Sequence, residues 1–127
     1  MALSQAKSRR SATGARLRTY RKKKQHEVGG RPILTKIGEK QTKSIRTIGG
    51  NAKSKSLHAN KVNAFDVKTK KSVVATLKNV KDNKANRNFI RRNILTKGTV
   101  IETDKGLVKI TNRPGQEGTI NGIILEQ

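Results

Sequence analysis

The large apolar residues of this chain come in short runs, many of them β-branched, that are separated by Gly, Asn, Asp and Lys. Runs of this length and spacing are typical of strands in a small barrel or sandwich. The clearest example is residues 99–111, in which two strands flank a turn at Asp104-Lys105-Gly106. Gly106 is free to adopt the positive φ that such a turn favours. The pattern predicts an all-β protein with a small β-barrel body.

Two further strand regions extend the predicted body. Residues 60–67 are expected to pair with residues 72–80 across a lysine-rich turn, which is too charged to be buried. After a Pro-Gly turn, residues 119–125 are expected to form a strand that is interrupted at Gly122. These regions, together with the hairpin of residues 99–111, supply the strands of the barrel.

One short helix is predicted over residues 86–95. Ile90 and Ile94 fall on one face of this helix and are expected to pack on the barrel, while Lys97-Gly98 provides its end. A helix this short must dock to persist. Its outward side is expected to carry a basic cluster of Arg87, Arg91 and Arg92.

The 29 Leu, Ile, Val and Phe residues are distributed unevenly along the chain. Residues 1–25 contain two of them, residues 26–60 contain seven, and residues 61–127 contain the other 20. A segment as poor in apolar residues as 1–25 cannot offset its ordering entropy by burial. We therefore expect residues 1–25 to be an irregular arm that is disordered when free. Residues 26–127 are expected to form one barrel domain, with its core mainly in residues 60–127.

Charge follows the opposite gradient. The chain has 30 Lys and Arg against 8 Asp and Glu, which gives a formal net charge of +22. A charge this far from zero indicates a polyanionic partner such as nucleic acid. Residues 1–25 contain no acidic residue and contribute nine cations to the predicted RNA-binding surface: Lys7, Arg9, Arg10, Arg16, Arg18, Arg21, Lys22, Lys23 and Lys24.

The residues that catalysis or metal binding would need are scarce. The chain has no Cys, and His26 and His58 lie in basic stretches without a carboxylate spaced to orient them, apart from Glu27. Glu102 and Asp104 share a strand face but make a poor cation site by themselves. We therefore predict no enzyme activity, metal, cofactor or small-molecule substrate. Because the longest purely apolar runs have three residues, no membrane partner is expected, and the protein is predicted to be soluble and cytosolic.

The three aromatic residues offer little for base stacking. Phe65 and Phe89 lie where the body needs core residues, which leaves Tyr20. RNA-binding modules that read splayed bases use exposed aromatic side chains on a sheet. The predicted mode is therefore contact with RNA phosphates, with specificity arising from the folded shape of the RNA.

Several motifs together resemble one family, the small-subunit ribosomal protein eight of archaea and eukaryotes, which has no bacterial counterpart. The resemblance spans nearly all of the chain, and its short length is similar to that of archaeal members. Met1-Ala2-Leu3-Ser4-Gln5 departs from the aromatic-glycine start of many relatives. The resemblance is carried by Ser8-Arg9-Arg10, Thr13-Gly14, Arg16, Arg21-Lys22-Lys23-Lys24, Glu27, Gly29, Pro32-Ile33-Leu34-Thr35-Lys36-Ile37-Gly38, Arg46, Gly49-Gly50-Asn51, Phe89-Ile90-Arg91-Arg92-Asn93-Ile94-Leu95-Thr96-Lys97-Gly98 and Thr111-Asn112-Arg113-Pro114-Gly115-Gln116-Glu117-Gly118.

The resemblance implies a structural constituent of the small ribosomal subunit, with a compact β-barrel and an irregular basic N-terminal extension. The implied partners are small-subunit ribosomal RNA and other small-subunit ribosomal proteins, and the implied location is the ribosome in the cytoplasm. Beyond the N-terminal arm, the predicted RNA contacts lie in the helix and in the motifs that carry the resemblance: Lys36, Arg46, Asn51, Arg87, Arg91, Arg92, Lys97 and Arg113.

Other functions fit part of the same pattern. A DNA-compacting architectural protein would also be small and basic, but the arm lacks apolar wedge residues and the chain lacks a dimerisation heptad. The hairpin and turn pattern of residues 99–125 also resembles the small RNA-binding barrels of translation factors. An enzyme acting on RNA would need clustered carboxylates or paired histidines, which the sequence does not offer.

Overall fold

The computed structural model describes residues 8–18 and 20–125, so the predictions for Lys7 and for the first five residues lie outside this part of the chain. The chain divides into two compact units, Met1–Pro32 and Ile33–Gln127. The first unit contains a 3₁₀ turn at Gln25–Glu27. In chain order, the second contains β1 (Thr35–Ile37), β2 (Gln41–Arg46), a 3₁₀ turn (Ile48–Gly50), β3 (Ala52–Ala59), β4 (Lys61–Asp66), β5 (Lys71–Asp82), α1 (Asn88–Arg91), β6 (Ile94–Leu95), β7 (Val100–Thr103), β8 (Gly106–Ile110) and β9 (Asn121–Ile124).

Five strands close into a barrel in the order β4-β5-β7-β8-β9. Neighbouring strands are antiparallel except β4 and β9, which are parallel. Because side chains alternate along a strand, β4 buries Val62 and Ala64 and exposes Lys61, Asn63 and Phe65. The predicted all-β fold with a small barrel is confirmed. The core cluster consists of Ala59, Val62, Ala64, Ala75, Leu77, Val80, Leu95, Ile101, Val108, Ile110 and Ile120.

Both predicted hairpins are present. β4 and β5 pair from Lys61 opposite Thr76 to Asp66 opposite Lys71, and Asp66 accepts hydrogen bonds from the Lys68 backbone and the Thr69 hydroxyl, at 2.9 and 2.8 Å. β7 and β8 pair around a turn in which Gly106 has a φ of 116°, as its sequence position predicted. The Thr103 hydroxyl donates to the Gly106 carbonyl at 2.8 Å and closes that turn.

The strand predicted over residues 119–125 is present as β9, but the expected interruption at Gly122 is wrong. β9 continues through Gly122, which pairs with Ala64 of β4 and with Ile110 of β8. A Cβ atom on Gly122 would lie 2.5 Å from Val108 Cγ1 and 2.8 Å from the Lys109 carbonyl oxygen. The glycine therefore permits the close approach of β8 and β9 rather than breaking the strand.

The helix predicted over residues 86–95 is much shorter in the structure. α1 spans Asn88–Arg91, and Asn93 then adopts a φ of 49°, which ends the helical path. Ile94 and Leu95 form β6, whose pairing with β1 buries both side chains. The prediction failed here because Ile90 packs against the core cluster, as it would on a longer helix, whereas Ile94 is buried by the pairing of β6 with β1.

A second sheet, with strand order β2-β3-β1-β6, was not predicted. It mixes a parallel pair, β1 with β3, and antiparallel pairs, β1 with β6 and β2 with β3. Thr35 is fully buried, and its hydroxyl donates to the Ser56 carbonyl at 2.6 Å. Many residues of this sheet are polar, so its strands show no alternation of apolar and polar positions. The sequence therefore offered no pattern from which to predict them.

The prediction that Phe65 belongs to the core is wrong. Its side chain is 41% exposed on the outer side of β4. The alternation places Phe65 in phase with Lys61 and Asn63, whereas Val62 and Ala64 occupy the interior. Phe89, on α1, is half-buried.

Candidate nucleic-acid interface

A short hairpin-like loop carries Arg9, Arg10 and Arg16. Arg10 and Arg16 form an isolated antiparallel bridge, and the Leu17 backbone donates to the Arg9 carbonyl at 2.7 Å. The turn between them is made possible by Gly14, which has a φ of 83°. The small residues of this turn, which the sequence places between the cations, therefore serve to fold the backbone back on itself.

The loop gathers arginine side chains around a concave surface. Arg9, Arg10 and Arg16 line a cavity of about 450 Å³ together with Leu17, and all four are exposed. One Arg10 guanidinium nitrogen donates to the Gly14 carbonyl at 2.8 Å, which leaves its other donors available. Guanidinium groups match phosphate geometry in a bidentate manner. The guanidinium groups on this surface are therefore suited to contact with phosphates.

A second local structure in this unit is built around Glu27. Its carboxylate accepts two hydrogen bonds from the Arg21 guanidinium, at 3.0 and 2.6 Å, and one from the Lys24 backbone at 3.0 Å. The hydrogen bonds from Arg21 chiefly, and then that from Lys24, lower the pKa of Glu27. The hydrogen bonds from Arg21 to Glu27 are also the main cause of the raised pKa of Arg21. Arg21 also lies over the ring of Tyr20, with its guanidinium carbon 5.3 Å from the ring centroid.

Arg21 thus differs from the other cations predicted to bind RNA. Its guanidinium is half-buried and engaged by Glu27, whereas Lys22, Lys23 and Lys24 beside it are exposed. Within residues 8–18 and 20–125, every other predicted contact residue is also exposed: Arg9, Arg10, Arg16, Arg18, Lys36, Arg46, Asn51, Arg87, Arg91, Arg92, Lys97 and Arg113. Lys7 lies outside the described residues.

A partly buried polar network holds the segment that carries Arg87, Arg91 and Arg92. The Asn93 side chain accepts a hydrogen bond from the Val80 backbone at 3.3 Å, which ties the end of the helix to β5. Asn83, which is buried, donates to the Ile94 carbonyl and accepts from the Thr96 hydroxyl, at 3.3 and 3.2 Å. Arg87, Arg91 and Arg92 therefore project, exposed, from a segment that is held in place by these hydrogen bonds. Lys97 follows in the turn before Gly98, which has a φ of 84°.

Lys36, Arg46, Asn51 and Arg113 lie on separate structural elements. Lys36 is on β1, opposite His58 and Ile94, while Arg46 and Asn51 flank the turn between β2 and β3. Arg113 opens a loop in which its carbonyl accepts hydrogen bonds from the backbones of Gln116 and Glu117, at 2.9 and 3.1 Å. Three exposed or half-buried lysines of the β2–β3 pair were missed by the sequence reasoning, because the strands that carry them had not been predicted: Lys43, Lys53 and Lys55.

Glu102 and Asp104, the two carboxylates that share a strand face in the sequence, contact different residues in the structure. Glu102 pairs with Lys81 at 3.1 Å, and Asp104 accepts a hydrogen bond from the Thr76 backbone at 2.9 Å, so these two carboxylates serve different neighbours. In the part of the chain that is described, His, Asp and Glu side chains form no group of three that could hold a metal ion. No helix among the described residues is both long and apolar enough to cross a membrane.

Comparison with known proteins places these features in one family. Residues 4–125 match the family Ribosomal protein S8e. The chain is 48% identical over 125 residues to the small ribosomal subunit protein eS8 of Methanobrevibacter smithii, covering 98% of this chain and 100% of the relative. The eS8 proteins of Methanocorpusculum labreanum and Nanoarchaeum equitans are 44% and 43% identical over 122 residues, which is 96% of this chain and 98% and 96% of theirs.

These matches cover nearly the whole chain and nearly the whole of each relative, so the length of the chain is that of archaeal members. They confirm the resemblance on which the sequence analysis relied. Ribosomal proteins of this family are structural components rather than enzymes, which confirms the prediction that the chain is not an enzyme. The protein belongs to the ribosomal protein S8e family.

Proposed function

We propose that the protein is a structural constituent of the small ribosomal subunit and stabilises folded small-subunit ribosomal RNA through contacts with phosphates. The protein would then be located in the ribosome in the cytoplasm. Other small-subunit ribosomal proteins would be its protein partners. The names of the relatives support the assignment to the small subunit. The surface chemistry of the chain supports the mode of binding.

The exposure of the cations is the observation that carries this proposal. Apart from Arg21, the predicted contact residues in the described ranges are exposed, and none of them forms an ion pair there. Exposed cations without carboxylate partners repel one another and are relieved by a polyanion. Because phosphate contacts carry affinity without reading sequence, specificity would arise from the fit to one folded RNA.

The two units contribute cations of different kinds. Arg9, Arg10 and Arg16 lie on a short loop that is held by backbone hydrogen bonds, whereas Arg87, Arg91 and Arg92 project from a segment held by the buried Asn83 and the half-buried Asn93. Rigid charges lose less entropy on binding than mobile ones. We therefore assign the α1 arginines to orientation on the RNA and the N-terminal arm to added affinity.

The salt dependence of binding tests this function. The logarithm of the affinity of the full chain for small-subunit ribosomal RNA should fall steeply with the logarithm of salt concentration, with about 6–10 phosphate contacts. Deletion of residues 1–25 should flatten the slope by several contacts, and an unchanged slope would show that the arm is a solvated tail. Duplex DNA as a competitor provides the control. Competition as strong as that of the ribosomal RNA would favour a DNA-compacting protein instead.

A further inference from the structure

The β2–β3 pair is a two-stranded ribbon whose outer part is exposed on both faces. It is continuous from Thr42 opposite Ser56 to Arg46 opposite Ala52. All of β2 except Ile45 is exposed, and so are the first three residues of β3. Since β3 also pairs with β1 near its end, the ribbon is joined to the sheet at one end and free at the other.

The ribbon is firmly held at its root. The Ser56 backbone donates to the Pro114 carbonyl at 3.0 Å, while the Ser56 carbonyl accepts from the buried Thr35 hydroxyl. Gly118 lies so close to Ser54 that a Cβ atom there would collide with the Ser54 hydroxyl. These contacts fix the direction in which the outer part of the ribbon extends.

The positive charges of the ribbon oppose the pairing of β2 with β3. Lys43 and Lys55 are directly opposite each other, and Lys53 is opposite Ile45. Like charges in directly opposite positions destabilise a strand pair. Residues 40–65 contain no acidic residue that could offset this repulsion. A polyanion lying along the ribbon would relieve it.

The tip of the ribbon presents an apolar side chain on a constrained turn. The Thr47 backbone and hydroxyl donate to the Asn51 carbonyl at 2.7 and 3.1 Å, and Gly49 and Gly50 have φ values of 79° and 77°. Ile48 is 97% exposed, more than any other large apolar side chain among the described residues. A rigid turn therefore holds an isoleucine in solvent at the end of a basic ribbon.

We propose that the β2–β3 ribbon enters the wide, shallow groove of a ribosomal RNA helix and inserts Ile48 against the bases at one step. Lys43 and Lys55 bind the flanking phosphates, whereas the Lys53 ammonium donates to the Gln116 side chain at 3.2 Å. The inference rests on the proposed function. Nucleic-acid-binding proteins use such apolar wedges to unstack base steps, and the shallow groove of A-form RNA is the one that protein elements can enter. The cationic ribbon favours RNA over a protein partner at this tip.

Directed cleavage of the RNA tests the placement of the tip. Because the chain has no Cys, Ile48→Cys provides a single thiol for attachment of an iron chelate that generates hydroxyl radicals. We expect cleavage of small-subunit ribosomal RNA on two strands that face each other across one groove. Lys105→Cys, at the exposed turn between β7 and β8, is the control and should not cleave that locus. Intact RNA would overturn the insertion, and cleavage of the backbone of a ribosomal protein in assembled subunits would replace it with a protein contact at the tip.

Affinity measurements distinguish the contribution of Ile48 to RNA binding from that of the lysines. Ile48→Ala should lower the affinity for the ribosomal RNA on the order of tenfold, without changing the salt slope, because apolar contact releases no counterions. Lys43→Gln with Lys55→Gln should flatten the slope by about 2. Val74→Ala, at an apolar position 59% exposed on the barrel, is the matched control. Wild-type affinity for Ile48→Ala would overturn the insertion, whereas failure of the unmodified protein to bind would refute the proposed function itself.

Discussion

The guanidinium of Arg21 and the carboxylate of Glu27 form a two-point contact, with nitrogen to oxygen distances of 3.0 and 2.6 Å. Glu27 is the only acidic residue in the first 38 positions of a chain whose net charge is +22. Its carboxylate thus neutralises one cation of the basic arm while holding the backbone of Lys24 at 3.0 Å. The lysines between the two residues are displayed on a closed loop as a result.

Removal of the Glu27 charge should therefore increase contact between the arm and RNA. We expect Glu27→Gln to steepen the salt dependence of binding by about one phosphate contact, because Arg21 becomes available. The measurement is the affinity for ribosomal RNA at a series of salt concentrations. Glu39→Gln, at an exposed acidic position, controls for the change in net charge. Equal slopes for the two variants would show that the release of Arg21 adds no contact.

Asp66 should make the stability of the barrel depend on pH. The hydrogen bond from the Thr69 hydroxyl, followed by that from the Lys68 backbone, lowers the pKa of this carboxyl. A pKa that is lower in the folded state stabilises the protein above the ordinary pKa of aspartate, and this contribution is lost as pH falls through the lowered value. Asp66→Asn should thus reduce Tm at neutral pH and have no such effect in strong acid. Asp82→Asn, at an exposed site on β5, is the control, and a pH-independent difference for Asp66→Asn would contradict the linkage.

Gly122 should be the glycine of the barrel that tolerates a side chain least. A Cβ atom there meets both Val108 and the Lys109 carbonyl, so Gly122→Ala should reduce the free energy of unfolding by about 1–3 kcal/mol through overpacking. Urea denaturation measures this loss. Gly30→Ala, where a Cβ atom would meet nothing within 4 Å, should leave the stability unchanged. Comparable stability of the two variants would mean that β8 and β9 can separate without cost.

The sequence predicts the barrel better than it predicts the second sheet, for physical reasons that particular residues show. The β7–β8 hairpin has apolar alternation and a glycine at the turn, so local pattern and tertiary packing agree. β2 exposes polar residues on both faces and owes its existence to pairing with β3, which no local pattern reveals. β6 is similar, because Ile94 and Leu95 become a strand only through β1.

The exposure of the cations was predictable from the sequence, but their arrangement was not. The cations were found as exposed residues because charged side chains rarely lie in a core. The engagement of Arg21 depends on Glu27, six positions away, across a turn that the sequence analysis did not predict. The exposure of Ile48 was also missed, because a turn at the neighbouring glycines does not by itself show whether the isoleucine side chain points inward or into solvent.

Order in the N-terminal arm should differ between the free and RNA-bound protein. Residues 8–18 fold through backbone hydrogen bonds, and the large apolar side chain among them, Leu17, is 53% exposed. So little burial does not offset the entropy of ordering a loop. Backbone NMR order parameters of the free protein should be low in the arm and high in the barrel, and those of the arm should rise on RNA binding. A rigid arm in the free protein would contradict folding on binding.

The two faces of the segment from α1 to β6 should respond in opposite ways to mutation. Arg91→Gln with Arg92→Gln should weaken RNA binding, since each charge-assisted contact contributes roughly 1.5–3 kcal/mol before solvent screening. Tm should change little, because both side chains are exposed. Ile94→Ala should cost about 2–5 kcal/mol of stability, because Ile94 is fully buried. Ile90→Ala should cost less than Ile94→Ala, since Ile90 is only partly buried against the core.

Measurement of Tm and RNA affinity for the same set of variants decides between these roles. At a temperature where Ile94→Ala is still folded, its affinity for the RNA should match that of the unmodified protein. The reason is that the Ile94 side chain is fully buried and cannot contact the RNA. The arginine pair should show the reverse, with Tm retained and affinity lost. If the arginine variant unfolds while the folded Ile94→Ala protein fails to bind, then α1 supports the barrel through its arginines. The RNA-binding surface would in that case have to lie on the N-terminal arm and the other exposed cations.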